Sequence, residues 1–553
     1  MVVEMMGEGS LLQFWKTATT VLAPILLCPL VFYVGTSEAK CGFVILLMAV
    51  FWVTDAVPLP VTALLPVVLL PLFGIMTTDE VCVTYLKESN MMFIGSLIVA
   101  ISVEKCLLHQ RIALKALITI GTSPRMLMLG LMLPTMFLSM WISNTATTSM
   151  MVPIVEAIVS ELDEEMAAQV EDSEQARKKQ QKNKQRIRVM LFLAVAYAAN
   201  NGGVGTLTGT GPNLVFKGMI GTLFGSQTPV NFASWMLFAM PTVIVNLILC
   251  WLWLQIYFIG MPWNKSAINF GKKDAIKNLL VKKYQDLGPM TFQQMAVLGH
   301  FIVLILLWFF REPRFMPGWG DLFLEETTDL CGNVKHSQIV DDATSSMFIV
   351  FFLFIFPSEL LFWPFTSWKD SRSSKSLLDW PYVQKRFPWG VAILFGGGFA
   401  LASASKKSGL SDWVGNELKV LDSLPNWAMV VVICVLVGII TEITSNVATA
   451  NILLPVLAEV GHATGTNPLY LMIPATVTCS YAFMLPVATP PNAIAHEASG
   501  MKTSQMMKVG FVMNIVCITI NMVAINTYGV TMFGLDKYPE WANASRITSS
   551  SQC

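Results

Sequence analysis

Apolar stretches of membrane-spanning length recur from one end of the chain to the other. They lie at Val21–Gly35, Phe43–Pro58, Val243–Gly260, Met295–Phe310, Met347–Phe362 and Val509–Ile525 with their flanks. An unbroken crossing takes about 20 mostly apolar residues, and on that measure roughly ten to twelve crossings are expected. Two polar interruptions match each other. Ser143-Asn144-Thr145-Ala146-Thr147 recurs as Ser445-Asn446-Val447-Ala448-Thr449, at an offset of 302 residues. A proline follows each copy at the same distance, Pro153 and Pro455, and a hydroxyl residue precedes each, Ser139 and Thr441. Upstream, Phe93, Gly95, Ala100, Lys105 and Leu108 match Phe395, Gly397, Ala402, Lys407 and Leu410 in the same register. A register this constant marks an internal duplication.

A second pair of motifs follows, Thr210-Gly211-Pro212-Asn213 in the first half and Thr489-Pro490-Pro491-Asn492 in the second. The spacing from Asn144 to Asn213 exceeds that from Asn446 to Asn492 by about the length of a charged insert, Glu161–Arg188, found in the first half only. Ser, Asn and Thr compete for backbone hydrogen bonds, while Gly and Pro break the helical ladder. Irregular backbone at membrane depth is tolerated only where it is buried in protein or lines a cavity. Paired breaks at matching positions of two halves therefore predict a transporter's central site, where inverted repeats are the usual arrangement. Inversion requires an odd number of crossings between the copies.

Composition agrees with a lipid solvent: 54% of the 553 residues are hydrophobic and 13% charged, with a mean hydropathy of +0.59, where a soluble domain carries about 25% charged residues. Net charge is zero, but Arg177–Arg188 holds Arg177, Lys178, Lys179, Lys182, Lys184, Arg186 and Arg188. The positive-inside rule makes this insert a cytoplasmic loop, and its apolar flanks argue against a nucleic-acid patch. The first apolar run follows a head with Glu4 and Glu8 and a single Lys16, which reads as a retained span, not a signal peptide. Ten cysteines show no ligand spacing and read as buried thiols, with Cys331 and Cys553 in polar loops. Gly203–Gly209 mimics a nucleotide loop but lacks the preceding strand and the lysine. No nucleophile–base pair appears, so the chain does not read as an enzyme.

The chemistry of the breaks is that of an anion site without fixed cations. Asn144, Thr145, Asn446 and Thr489 offer amide and hydroxyl groups; Ser139, Ser143, Thr441, Thr444 and Ser445 offer oxygens; Glu442 adjoins Thr441. A half-helix starting at such a motif aims free N–H groups and its positive end into the cavity, which suits a carboxylate. Dipoles and amides do not neutralise two full negative charges in a low dielectric, so a cation must accompany the anion. The surrounding hydroxyls and carbonyls are hard oxygen ligands that suit sodium. An anion channel could use the same polar loops but would not need duplicated cation ligands.

The two SN motifs, Leu207–Asn213 and Phe483–Asn492, together with Gly396–Leu401, His109–Leu114 and Leu287–Met290, resemble the divalent anion/sodium symporters, solute carrier family 13. The resemblance covers about residues 17–543 and lies nearest the animal sodium-coupled citrate and dicarboxylate cotransporters and the insect "I'm not dead yet" relatives. It implies an all-α, multi-pass plasma-membrane protein of about 11 transmembrane helices plus two re-entrant hairpins. It implies scaffold halves at 17–122 and 286–422, mobile transport halves at 123–260 and 423–533 working as an elevator, hairpin tips at 143–145 and 445–447, an extracellular tail at 534–553, and a homodimer. By matching positions, Ser139, Ser143, Asn144 and Gly211 would hold one sodium ion, and Thr441, Thr444, Asn446 and Ala488 the other. Asn144, Thr145, Asn446, Val447, Thr489 and Pro490 would face the substrate. The resemblance implies citrate or C4 dicarboxylates as substrate and sodium as the co-transported ion, with no organic cofactor and no nucleic-acid partner. Val447 stands where many members have threonine, which tilts the reading toward citrate. Sodium-independent exchange and sulfate symport are the alternatives. Asn543-Ala544-Ser545 is a glycosylation acceptor on the expected outer tail, whereas Asn264-Lys265-Ser266 abuts a basic stretch and reads as unused. The Gly396-Gly397-Gly398 run reads as close helix packing, and His109 and Arg111 as markers of a cytoplasmic span end.

Overall fold

The computed structural model describes residues 14–121, 123–167, 174–225, 228–260, 273–313, 316–328, 334–359, 375–417 and 425–542. Asn543, Asn264, Cys331 and Cys553 lie outside these residues. In lipid every backbone polar group must find its partner within the protein, which leaves the helix as the default for each apolar run. The chain opens with α1 (Trp15–Pro29), extended by a π-helical turn (Leu30–Val34), and α2 (Ser37–Thr54), whose first turn is capped by Thr36 Oγ1 accepting from the Ala39 N–H. Short helices α3 (Leu59–Thr62), α4 (Leu65–Leu72) and α5 (Thr78–Thr84) lead into α6 (Glu88–Lys105) and α7 (Leu108–Ile120). Next come α8 (Pro124–Ser139), α9 (Asn144–Ala167), α10 (Glu174–Gly203), α11 (Gly211–Phe224) and α12 (Phe232–Phe258). After α13 (Lys273–Asp286) and α14 (Phe292–Phe309), an antiparallel hairpin pairs β1 (Leu324–Thr328) with β2 (Val334–Gln338), Leu324 facing Gln338. The second half runs α15 (Asp342–Ile355), α16 (Trp380–Arg386), α17 (Trp389–Ser408), α18 (Leu410–Glu417), α19 (Asn426–Ile443), α20 (Asn446–Ala463), α21 (Pro468–Thr478), α22 (Pro490–Ser499), α23 (Thr503–Ala524) and α24 (Val530–Phe533).

Among the described residues seven helical stretches are long and apolar enough to cross a bilayer, and an eighth forms if α16 and α17, bent by 64°, count as one. The remaining apolar runs are shorter helices, such as Leu59–Leu72, Asp342–Ile355 and Pro468–Thr478. Hydrophobicity alone does not tell a full crossing from a half-crossing that stops at a break. One expectation is corrected. The charged insert is not a loop over 161–188: α9 runs on to Ala167 and α10 begins at Glu174, so the basic residues ride on the opening turns of α10. A run of Lys, Arg and Gln has high helix propensity and extends the helix past the apolar part.

The two halves point in opposite directions. Helices α9 and α22 leave the central breaks toward the end where Arg188 bonds the Ala498 carbonyl and Arg186 bonds that of Tyr257. Helices α11 and α20 leave toward the other end, where the rings of Phe224 and His462 meet at 5.5 Å. Since α9 and α20 are copies, the duplication is inverted. Two contacts join residues 302 positions apart: Asn90 Nδ2 donates to Ala392 O, and the Phe93 and Phe395 rings meet edge to face at 4.7 Å. A residue touching its own copy lies next to the two-fold axis relating the halves.

Small residues let helices approach around this axis. A methyl group on Gly397 would stand 2.6 Å from the Ala63 carbonyl oxygen, and one on Gly396 would run into the Tyr85 ring. The triple glycine is therefore helix packing, as the sequence indicates. His109 and Arg111 sit where α6 turns into α7. There the Arg111 guanidinium donates to the carbonyls of Leu287, Gly288 and Pro289. Two motifs far apart in the chain, His109–Leu114 and Leu287–Met290, thus form one unit that closes the end of α13.

Candidate functional site

Both SN motifs are breaks between helices. Helix α8 ends at Ser139 and α9 starts at Asn144; α19 ends at Ile443 and α20 starts at Asn446. The later motifs do the same, with Thr210 and Thr489 holding nearly identical extended backbone (φ −145, ψ 152 and φ −143, ψ 147) before α11 and α22. Side-chain amides fix these loops. Asn213 Nδ2 donates to the carbonyls of Gly203, Val204 and Thr206, and its copy Asn492 donates to those of Ala482 and Leu485. Each asparagine replaces the bonds that the broken helix cannot make for itself.

All four breaks open on one cavity of about 1110 Å³, lined by Ser143, Asn144, Thr145, Gly211, Thr444, Asn446, Val447, Ala488, Thr489 and Pro490 among others. The N-termini of α9, α11, α20 and α22 converge there, so four positive dipole ends share one space. Val447 and Gly211 touch across the two halves: a Cβ on Gly211 would come within 2.3 Å of Val447 Cγ2.

Behind each SN tip lies a knot of oxygens. Ser139 Oγ is 2.6 Å from Asn144 Oδ1 and 2.8 Å from the Ala199 carbonyl. Its copy, Thr441 Oγ1, is 2.9 Å from Asn446 Oδ1 and 2.6 Å from the Cys479 carbonyl. A hydroxyl carries one proton, so in each knot one short oxygen–oxygen contact has no proton in it. Hydroxyl, amide and helix-end carbonyl oxygens gathered in this way suit a hard cation. The second knot also has a carboxylate beside it. Glu442 is buried and accepts from the N–H groups of Phe483, Met484 and Leu485 and from Asn514 Nδ2.

The other expected cation ligands are placed differently. The Ser143 hydroxyl accepts from the Ala146 N–H and so caps α9, while Thr444 Oγ1 pairs with Thr449 Oγ1 at 2.6 Å. Gly211 and Ala488 border the cavity but offer backbone only. Three participants have no role in the sequence reading. Ala199 and Cys479 enter through main-chain carbonyls, which no side-chain motif announces. Asn200 Nδ2 crosses between halves to Thr489 Oγ1 (3.2 Å) and Asn492 Oδ1 (3.1 Å); its signal was the polar run Asn200-Asn201-Gly202-Gly203 inside an apolar helix.

At its far end the cavity is rimmed by Asp55, Glu104, Lys105, His109, Gln110, Tyr382 and Arg386. This rim lies at the end of the molecule that carries α7, α13 and the opening turns of α10. Lys105 bonds Asp379 and, together with a backbone N–H bond from Tyr382, holds that carboxyl below its usual range.

The family model described as "Sodium:sulfate symporter transmembrane region" matches residues 12–535. The rat Na(+)/citrate cotransporter is 42% identical, with 95% of this chain and 97% of that protein covered. Human solute carrier family 13 member 2 is 42% identical over 96% and 95% of the two chains, and the mouse Na(+)/dicarboxylate cotransporter 3 is 39% identical over 94% and 93%. Among solved structures, Neisseria gonorrhoeae MtrF, from a class of antimetabolite efflux pumps, aligns with a TM-score of 0.50 at 13% identity. That alignment covers 82% of this chain and 84% of that one, a likeness of fold alone.

Proposed function

We propose that this chain, which belongs to the sodium:sulfate symporter family and to its solute carrier 13 branch, imports citrate and C4 dicarboxylates such as succinate, malate and fumarate together with sodium. The observation that carries the reading is the pair of oxygen knots at Ser139–Asn144 and Thr441–Asn446, each behind a tip that faces the shared cavity. Sodium held in both knots supplies the positive charge that the tips lack. Asn144, Thr145, Asn446, Val447, Thr489 and Pro490 contact the carboxylates, aided by the four helix N-termini. Ser139, Asn144, Thr441 and Asn446 are the leading sodium ligands by side chain, with Ser143, Gly211, Thr444 and Ala488 contributing through backbone.

Coupling follows from the same arrangement. An anion cannot enter a low-dielectric pocket unless the cations do, so the sodium gradient drives uptake. Each surplus charge moved across about 100 mV is worth about 2.3 kcal/mol, enough to concentrate the anion roughly fifty-fold. The cavity opens toward the end bearing the basic turns of α10, which we assign to the cytoplasm. The halves at 123–260 and 423–533 carry the tips and would move as one body against a scaffold of 17–122 and 286–422. In this reading the protein works as a homodimer at the plasma membrane, with Asn543 glycosylated on the outer tail.

Uptake of radiolabelled citrate and succinate into proteoliposomes, with sodium or with choline in its place, tests this. Uptake that collapses in choline supports symport. Uptake that survives in choline replaces symport with exchange, and sulfate outcompeting both organic acids would overturn the substrate assignment.

A further inference from the structure

The lining of the large cavity separates charge from the tips. Its cationic side chains among the described lining residues are Lys105 and Arg386, and both are at the rim. They flank one aromatic ring: Lys105 Nζ is 5.7 Å and Arg386 Cζ 5.9 Å from the centroid of Tyr382. Each is paired with a carboxylate, Lys105 with Asp379 at 2.5 Å and Arg386 with Glu104 at 3.3 Å. Each pair joins a side chain about half exposed, Asp379 or Arg386, to one that is 21% or 27% exposed, Lys105 or Glu104. The solvent-facing partner of each pair leaves its cation open to a second carboxylate, which can exchange with the first at the modest cost of a partly exposed ion pair. The aromatic face keeps both cations at the rim whether or not their partners stay, because the ring quadrupole attracts a cation directly. Low-dielectric walls on either side focus the field of the two charges into the opening.

We propose that the rim is a second, weaker anion subsite in which Lys105 and Arg386, seated on Tyr382, take the carboxylates of a di- or tricarboxylate passing between the central pocket and the cytoplasm, displacing Asp379 and Glu104. The proposal rests on the transport function above and adds a sided element to it. The rim lies on α6 and α16 and apart from the SN tips, so it acts on traffic at one face of the membrane only. Arg386 presents a planar fork that matches a carboxylate. Glu104 and Asp379 act as internal competitors that keep the subsite weak and prevent it from trapping the anion.

Radiolabelled citrate transport, normalised to protein abundance, is measured from the external face in sealed cells and from the cytoplasmic face in inside-out vesicles. Replacing both cations (Lys105→Gln with Arg386→Gln) is expected to raise the apparent Km at the cytoplasmic face by about tenfold while the external Km stays within about twofold. Replacing both competitors (Glu104→Gln with Asp379→Asn) is expected to lower the cytoplasmic Km by about threefold, a gain that misfolding cannot produce. High concentrations of an impermeant salt should shrink both differences, since charges at an open rim are screened. Equal effects on the two faces, or a cytoplasmic Km that does not fall when the competitors are removed, overturn the proposal alone. Absence of organic-anion transport by the unaltered protein overturns the transport function and this proposal with it.

Discussion

At Asn144 a single residue joins two tasks. Its Oδ1 lies in the oxygen knot with Ser139 and Ala199, and its backbone starts α9 at the cavity wall. Asn446 repeats this with Thr441 and Cys479. Alanine at either position removes the amide oxygen from one knot and leaves the helix boundary in place. Asn144→Ala and Asn446→Ala are each expected to abolish sodium-driven uptake, with surface abundance, read by biotinylation, near that of the unaltered protein. Near-normal uptake by either variant would refute the site. These two residues were legible in the sequence because polar side chains stand out against apolar runs and because they recur in register. Ala199 and Cys479 were not, since a carbonyl oxygen belongs to every residue and leaves no trace in the side chain. Glu442 was visible as a charge beside Thr441, but its fourfold acceptance from Phe483, Met484, Leu485 and Asn514 depends on a loop brought in from elsewhere.

Among the elements, the four broken helices decide the shape of the site, and the approach of α11 to α20 decides its tightness. Gly211 opens α11 directly against Val447, where a Cβ would lie 2.3 Å from Cγ2. Gly211→Ala must push the two tips apart. Overpacking of this kind costs about 1–3 kcal/mol, so a loss of several degrees in thermal unfolding in detergent is expected, together with weaker citrate binding; an unchanged melting temperature would show that the two tips have room to part without cost. The breaks themselves were readable from Gly, Pro, Asn and Thr in apolar surroundings. The helical character of 161–167 and 174–188 was not, because a strongly charged run looks like loop when hydrophobic periodicity is the guide and like helix when propensity is.

For the molecule as a whole, the proposed arrangement is a pocket reached from the end that carries α7, α13 and the opening turns of α10. Val487, next to the second sodium-site candidate Ala488, is 78% exposed within the cavity. A Val487→Cys variant should therefore react with a membrane-impermeant thiol reagent applied from the cytoplasmic face and be protected from the external face, with sodium and citrate slowing the reaction. Labelling from the external face alone would reverse the orientation assigned here. The fold class and the duplication were legible at this scale because lipid leaves few architectures to choose from. Which end the cavity opens to was not, since that depends on which of two related packings the halves adopt.

The edge-to-face meeting of Phe93 with Phe395, beside the Asn90–Ala392 bond, has the logic of a palindrome at its midpoint. Elsewhere the two copies have been free to diverge, as Thr145 and Val447 have, or to acquire an insert on one side only. At the midpoint each letter is read against its own image, so a bulkier ring on one side must be answered by a slimmer one on the other. Drift at positions 93 and 395 is therefore expected to be paired, long after the surrounding halves have ceased to resemble each other.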